Sequence, residues 1–188
     1  MQKIELLFSL AQGYLGQNQT STAEVYLRRS LIIAMAKKNE YKIAELKQLQ
    51  GHNRAKMGNQ QQALALYREA LTGFERLGNA LESGRTLVLF HQPAEAQKAL
   101  IYFQKALEAK MANHEILGEV ETRLELAKLQ LELKDGRGAL RSLQNCADLA
   151  TQAGSRELLL ASWNTLAQAH ALQGDYSAAY TFSAQYQN

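Results

Sequence analysis

Four histidines are the side chains most able to do chemistry in this 188-residue chain, but none has the neighbours that catalysis or metal binding needs. His114 and Glu115 begin like the helix of a zinc protease, in which a second histidine follows four residues after the first. Gly118 stands at that position, so the pair of zinc ligands cannot form there. The sequence therefore predicts that the chain holds no metal ion. The other histidines have no cysteine or carboxylate cluster at ligand spacing around them: His52, His91 and His170.

Other residues that could take part in ligand binding or catalysis also lack the neighbours that such chemistry needs. The glycine-rich stretch 136–138 has neither the lysine nor the hydroxyl with which a phosphate-binding loop holds its ligand. Cys146 is the single cysteine and stands where alanine occurs in other copies of a repeat, so we expect a small buried side chain. No serine lies in a motif that places a nucleophile on a strained turn. The sequence therefore predicts no enzyme active site and no cofactor.

A regular recurrence of alanine indicates which elements position these residues. Self-similarity at a fixed spacing of a few tens of residues is typical of stacked copies of one supersecondary unit. Between Ala63 and Phe74 the apolar residues recur three and four positions apart, as they do on one face of a helix. We therefore predict an all-α chain of about five helix-turn-helix repeats. The recurring alanines, 36 or 40 residues apart, are Ala23, Ala63, Ala99, Ala139 and Ala179.

Turn signals between the apolar segments set the boundaries of ten predicted helices. Gly58, Gly78, Gly154 and Gly174 can each end a helix in the left-handed conformation without a steric cost. Pro93 cannot donate a backbone hydrogen bond, so we expect it to shorten the helix before it. The predicted helices are 3–16, 20–38, 40–57, 60–77, 79–91, 94–112, 114–134, 137–153, 155–173 and 176–188. They form repeats 3–38, 40–77, 79–112, 114–153 and 155–188 of a single array over 1–188.

The fifth copy of the repeat contains Trp163, Leu166, Ala167, His170, Gly174, Asp175, Tyr176 and Ala179. With these residues it resembles the tetratricopeptide repeat (TPR), a family in which two antiparallel helices pack at small residues. The usual closing proline is missing from every copy, Arg54 and Gln130 stand where an aromatic residue is common, and Ser183 replaces a large apolar residue. The resemblance covers nearly the whole chain and implies a right-handed α-α superhelix, a TPR solenoid with helices longer than usual.

The resemblance also implies a binding surface, because the first helices of successive TPR repeats line a concave groove that holds a peptide or a helix. The groove candidates mix apolar and polar residues, so we expect a protein or peptide ligand with both kinds of group. They do not reproduce the lysine and asparagine clamp that holds a terminal carboxylate, nor the run of asparagines in relatives that bind signalling peptides. The candidates are Phe8, Gln12, Leu15, Glu45, Gln48, His52, Lys56, Arg85, Val88, His91, Leu124, Lys128, Leu131, Asn164, Gln168 and Ala171.

The last predicted helix carries aromatic side chains that no following repeat covers. Terminal repeats of a solenoid need a polar outer face. We therefore expect either that the native chain continues past Asn188, or that this helix packs against a partner or a second copy as a homodimer. Segment 174–180 also resembles the last repeat before the output domain of bacterial signalling proteins such as diguanylate cyclases and histidine kinases. The candidate interface residues are Tyr176, Tyr180, Phe182 and Tyr186.

Composition and charge exclude some partners. The net charge is only +3, whereas nucleic-acid binders usually concentrate positive charge on one face, so we predict no nucleic-acid partner. No apolar run approaches the roughly 18 residues that span a bilayer, so no membrane insertion is predicted. Glu5 interrupts the apolar start of the chain, which argues against a signal peptide. We predict a cytoplasmic location, or a periplasmic one if a leader has been removed.

Two functions fit these observations. The first is a non-enzymatic protein-interaction scaffold or ligand-sensing module, acting as the regulatory region of a bacterial signalling protein such as a diguanylate cyclase or a histidine kinase. The alternative is a free-standing adaptor or assembly factor that acts through homodimerisation of its last helix. The sequence identifies neither the partner nor the pathway.

Overall fold

The computed structural model describes residues 2–187, and every regular element among them is an α-helix. The chain forms two compact units, Met1–Glu95 and Ala96–Asn188. The first unit contains α1 (Gln2–Gly16), α2 (Thr20–Ala36), α3 (Glu40–Lys56), α4 (Gln60–Arg76) and α5 (Ala80–Val88). The boundary falls in the first turn of α6 (Pro93–Ala112), and the second unit continues with α7 (Ile116–Glu132), α8 (Gly136–Ser142), α9 (Cys146–Gln152), α10 (Arg156–Leu172) and α11 (Tyr176–Gln187).

The predicted all-α, helix-turn-helix fold class is confirmed. The first helices of the repeats are α1, α3, α5, α7 and α10, and the others are the second helices. The recurring alanines all lie on second helices and are 0% to 9% exposed. A small residue at each of these positions lets the neighbouring helix approach closely, because the distance between helix axes depends on the side chains at the contact. The single array over 1–188 remains a prediction.

Left-handed residues end the helices at most of the turns. The four predicted glycines have φ between 67° and 79°, as expected. Lys38 and Lys134 adopt the same conformation with φ of 53° and 63°, although a side chain makes it costly by roughly 1–2 kcal/mol. Gly136, which was predicted to lie in the connecting turn, is instead the first residue of α8. Lysine thus occupies two turns where glycine would be less strained.

We expect Lys38→Gly to raise the free energy of unfolding by about 1 kcal/mol, because it removes the strain of a left-handed lysine at the end of α2. The turn itself is well formed, with the Asn39 N–H donating to the Ala34 carbonyl at 3.0 Å. Urea denaturation followed by circular dichroism measures the change. Lys37→Gly is the control, since Lys37 has φ of −88° and gains nothing from glycine. Equal stabilities of the Lys38→Gly variant and the wild type would contradict this explanation.

Helix α5 is shorter than the sequence predicted, since it ends at Val88 rather than at 91. The amides of Leu89 and Phe90 donate to carbonyls three residues back, and His91 has φ of 51°. Pro93 then begins α6, where its missing N–H costs no hydrogen bond. The shortening before Pro93 is confirmed, but the turn already starts at Leu89.

The helix predicted over 137–153 was wrong, because the chain breaks it into α8 and α9. Asn145 has φ of 62°, and the Cys146 N–H donates to the Leu143 carbonyl at 3.0 Å. Asparagine tolerates the left-handed conformation better than most residues and has a low helix propensity. Leu143 and Cys146 remain buried on either side of the break. The break therefore redirects the backbone without exposing the core of the second unit.

Two glycines allow α3 and α4 to pack closely in the first unit. A Cβ atom on Gly51 would lie 2.5 Å from Cε1 of Tyr67, and one on Gly73 would lie 2.8 Å from Cβ of Ala44. The Tyr67 ring is 3% exposed and packs edge-on against Phe90, with ring centroids 6.0 Å apart. The ring therefore has little room to move away from a larger residue at position 51.

Cys146 is fully buried in the core of the second unit, as the sequence predicted. Burial raises the pKa of its thiol to about 12, so the group stays neutral in the folded protein. The stabilisation from the neutral buried thiol is complete below its ordinary pKa of 9.0 and is lost as the pH rises from there towards 12. We expect no reaction with a thiol reagent at pH 8 in native buffer and full labelling in denaturant. Rapid labelling of the native protein would contradict this placement.

Candidate functional site

In the first unit, side-chain contacts join the first helices α1 and α3 at two levels. Near the start of each helix, Lys42 of α3 pairs with Glu5 of α1 at 3.0 Å. Near the other end, the Lys56 Nζ donates to the Leu15 carbonyl at 3.1 Å. Residues further along α1 contact residues further along α3. The two helices therefore run parallel.

Lys42 is the centre of the link between α1 and α3. Its side chain is 9% exposed, forms ion pairs with Glu5 and Glu45, and lies 4.4 Å from the centroid of the Phe8 ring. Burial lowers the pKa of Lys42, but its hydrogen bonds to Glu45 and Glu5 outweigh that effect and leave the pKa raised. The ammonium group is therefore charged at neutral pH and fixes the position of both carboxylates.

A second link joins α3 to α5. The Gln48 Nε2 donates to Oγ1 of Thr86 at 2.9 Å, and that hydroxyl donates to the Glu82 carbonyl at 2.7 Å. Arg85 pairs with the Glu82 side chain at 2.7 Å. Because Gln48 is oriented by a buried hydroxyl on α5, its amide is held in place before any ligand arrives.

The far end of α3 presents a histidine beside a lysine. Lys56 is held by the Leu15 carbonyl and by Oδ1 of Asn18 at 2.9 Å. Partial burial lowers the pKa of the exposed His52, and the positive charge of Lys56 lowers it further. His52 is therefore neutral near pH 7 and can both donate and accept a hydrogen bond.

We name the surface formed by these three helices the first-helix face. Gln12 and His52 are its exposed polar groups that have no hydrogen bond or ion pair within residues 2–187, so both are free to bind a ligand. Its three acidic and three basic side chains balance in number. Five of them form ion pairs within the face, and Lys56 instead donates to neutral oxygen atoms of Leu15 and Asn18. The residues of the first-helix face are Glu5, Gln12, Lys42, Glu45, Gln48, His52, Lys56, Glu82 and Arg85.

Some predicted groove residues lie elsewhere. Phe8, Leu15 and Leu124 are 8%, 3% and 3% exposed, so these side chains pack in the core and cannot line an open groove. His91 is exposed but lies in the turn after α5 rather than on a first helix. Val88 is half-buried at the last residue of α5. The repeat pattern could not distinguish inward from outward positions on these helices.

In the second unit the predicted residues lie on α7 and α10. Lys128 is exposed, with its Nζ 3.6 Å from the Glu125 carboxylate. Leu131 is half-buried and packs against the core. On α10 the Gln168 Nε2 donates to Oδ1 of Asn164 at 3.3 Å, so these two exposed amides form one polar pair. Ala171 is also exposed.

The last helix exposes two of its predicted interface residues strongly. Tyr176 and Tyr180, one turn apart, are 74% and 77% exposed, and Tyr186 is 47% exposed. Phe182 is half-buried instead, because it stacks on His170 with ring centroids 5.5 Å apart. Phe182 thus holds α11 against α10, and the exposed aromatic surface consists of the tyrosines.

Within residues 2–187, no three or more histidine, cysteine, aspartate or glutamate side chains are grouped so that they could hold a metal ion. In that part of the chain, no helix is sufficiently long and apolar to cross a membrane.

Comparison with known proteins decides the fold. No family model matches the chain, and no curated protein matches it in sequence. Among solved structures, BtubC (BKLC) from P. vanneervenii is 17% identical with a TM-score of 0.71, over 98% of this chain and 78% of that one. The Q17M form of a kinesin light chain with nearly identical TPR-like repeats, from Podosopora anserina, is also similar. The chain has a TPR-like fold.

Two further comparisons give the extent of the TPR-like match. The Podosopora anserina protein is 16% identical with a TM-score of 0.68, over 100% of this chain and 95% of that one. The apo form of RapI is 16% identical with a TM-score of 0.66, over 98% of this chain and 69% of that one. The sequence-based recognition of TPR-like repeats is confirmed, and identities this low establish the fold alone.

Proposed function

We propose that this chain is a non-enzymatic protein-interaction module that binds a peptide segment of a partner on the first-helix face. The observation that carries the proposal is the parallel alignment of α1 and α3 together with the hydrogen bond from α3 to α5. These links run through Lys42, Lys56 and Gln48. A surface whose side chains are already held in place loses little conformational entropy when a ligand binds. The TPR-like fold of the solved structures above supports this use of the surface.

The free groups on this face indicate the chemistry of the ligand. Gln12 and neutral His52 offer uncharged donors and acceptors, which suit the amide and carbonyl groups of a peptide backbone. Five of the six charged groups of the face already form ion pairs, so a ligand with several charges would have to displace existing pairs. The preferred ligand is therefore an extended peptide with few charges, held through its backbone.

The experiment selects peptides from a random library against the wild-type chain and measures the dissociation constant of the selected sequence. The test variant is Gln12→Glu with His52→Glu, which places two new charges on exposed positions of α1 and α3. We expect affinity to fall about tenfold or more, because each new carboxylate must be desolvated against an uncharged backbone. Circular dichroism confirms that the variant stays folded.

A matched control separates the surface from a general charge effect. Gln61→Glu with Thr72→Glu adds the same two charges to exposed positions of α4, a second helix. This control should bind the peptide as the wild type does. Equal affinities of the first-helix variant, the control and the wild type would reject the proposal.

A second candidate function is favoured by the exposure of Tyr176 and Tyr180 on α11. In this proposal the chain is an adaptor or assembly factor that forms a homodimer through its last helix. Tyr176→Ser with Tyr180→Ser should then dissociate a dimer seen by sedimentation velocity. A wild-type protein that stays monomeric at the highest soluble concentration would exclude this function.

The role as the regulatory region of a bacterial signalling protein, such as a diguanylate cyclase or a histidine kinase, is a finer proposal. Its support is the resemblance of segment 174–180 to the repeat that precedes such output domains. The cytoplasmic location, the absence of a nucleic-acid partner and the absence of enzymatic activity likewise remain predictions from the sequence.

A further inference from the structure

Helix α2 presents large apolar side chains to solvent on one face. Val25, Ile32 and Met35 are 47%, 67% and 59% exposed. Their spacing of seven and then three residues places them along one line of the helix surface, as in the a and d positions of a heptad. The line extends over ten residues, or about 15 Å along the axis. Together with Arg28 and Arg29, which lie between them on the same face, we name these residues the α2 stripe.

The α2 stripe is positively charged as well as apolar. Arg28 is 68% exposed on its side chain even though it pairs with Glu24 at 2.9 Å. Glu24 is itself 13% exposed and is shared with Arg54 on the next helix, so its single negative charge offsets the charge of Arg28 only in part. Arg29 forms no ion pair within residues 2–187. Just beyond the helix, Lys37 and Lys38 add two exposed positive charges.

The repeat itself does not require this surface. The residues of α4 that lie 40 positions later are equivalent, because Ala23 and Ala63 mark the same place in the two repeats. Arg29, Ile32 and Met35 of α2 correspond to Glu69, Thr72 and Glu75 of α4. These three side chains of α4 are all exposed and polar. The same fold is therefore built with an ordinary solvated face one repeat later, and the α2 stripe needs another explanation.

We propose that the α2 stripe is a docking surface for an acidic amphipathic helix of a protein partner. Val25, Ile32 and Met35 would pack against the apolar seam of that helix, and Met35 is a flexible side chain that adapts to its contacts. The arginines between them and the lysines beyond the helix match acidic residues that flank such a seam. A protein helix fits better than an anionic membrane, because the stripe has no aromatic residue of the kind that anchors helices in the lipid interface.

This inference does not depend on the first-helix face, because α2 is a second helix and the two surfaces share no residue. The probe is a synthetic peptide of about three heptads with leucine at positions a and d and glutamate at e and g. A comparison peptide of the same length carries lysine at positions e and g instead. Binding of both to the full chain is measured by fluorescence anisotropy at two salt concentrations.

The test variant replaces the α2 stripe with the residues of α4: Arg29→Glu, Ile32→Thr and Met35→Glu. We expect the wild type to bind the acidic peptide and not the basic one, with weaker binding at high salt. The variant should lose at least about tenfold in affinity. The control Arg68→Glu on α4 and the first-helix variant Gln12→Glu with His52→Glu should both bind the acidic peptide like the wild type.

Three outcomes would overturn the inference. The first is an equal affinity of the stripe variant and the wild type for the acidic peptide. The second is no binding of the acidic peptide, with binding to vesicles of phosphatidylcholine and phosphatidylserine, which would assign the surface to a membrane. The third is a wild-type dimer that the stripe variant dissociates, which would show that a second copy covers the stripe.

Discussion

The Gly51→Val variant is expected to lose about 2–3 kcal/mol of unfolding free energy, because valine forces apart the closest packed pair of helices in the first unit. The first side-chain atom would already lie 2.5 and 2.6 Å from Cε1 and Cδ1 of Tyr67 and 3.2 Å from the Ala63 carbonyl oxygen. Tyr67 cannot retreat easily, since Phe90 packs against its other edge. The loss exceeds the few tenths of a kcal/mol that valine gains over glycine in helix propensity.

Gly13→Val is the matched control for this prediction. Gly13 also lies inside a helix, but no atom lies within 4 Å of the position that its Cβ would occupy. The control should therefore lie within about 0.5 kcal/mol of the wild type. Urea denaturation of the three proteins gives the comparison. If Gly51→Val is as stable as Gly13→Val, the close packing of α3 on α4 is not what fixes the repeat.

The Lys42→Glu variant is expected to lose about 3 kcal/mol, since it removes the one cation between Glu5 and Glu45 and adds a third carboxylate beside them. The lysine side chain is 9% exposed and Glu45 is 22% exposed, so water screens the repulsion only in part. The exposure of Glu5 at 58% keeps the loss below that of a fully buried pair. Because the link between α1 and α3 is broken, peptide binding on the first-helix face should weaken as well.

A charge exchange isolates the ion pair from other effects of this substitution. Lys42→Glu combined with Glu5→Lys restores an opposite pair between α1 and α3 and should recover part of the lost stability. Lys42→Met keeps an apolar stem over the Phe8 ring and should cost less than Lys42→Glu. If the double variant is no more stable than Lys42→Glu alone, the pair does not link the two helices.

Much of the fold follows from the sequence because its repeat has a strong physical signature. Small residues such as Ala23 and Ala63 recur at one position, since a larger side chain there would separate the helices. Glycines at the turns also show where helices end. The pattern could not show that α8 ends before Asn145, because a single left-handed asparagine leaves the apolar periodicity unchanged. The pattern also predicted that α5 ends at residue 91 instead of Val88, because the apolar residues of the tight turn after Val88 keep the spacing of a helix.

The site was harder to predict, since it depends on contacts between residues far apart in the chain. Gln48 and His52 were expected in the groove and lie on the first-helix face, but Phe8 and Leu15 were expected there too and are buried. Lys42 was missed altogether, because its partner Glu5 is 37 residues away. The one local signal was Glu45, which is three residues after Lys42 on the same helix face.

Hydrogen exchange of the chain with and without a library-selected peptide tests the central claim most directly, because it shows where the peptide binds without assuming which residues matter. Binding on the first-helix face predicts slower exchange in α1, α3 and α5, centred on the turns of helix that carry Gln12, Gln48 and His52. The exposed faces of α2 and α4 should exchange as they do in the free protein. Protection confined to α2, to α11 or to the second unit would contradict the account and place the binding surface elsewhere.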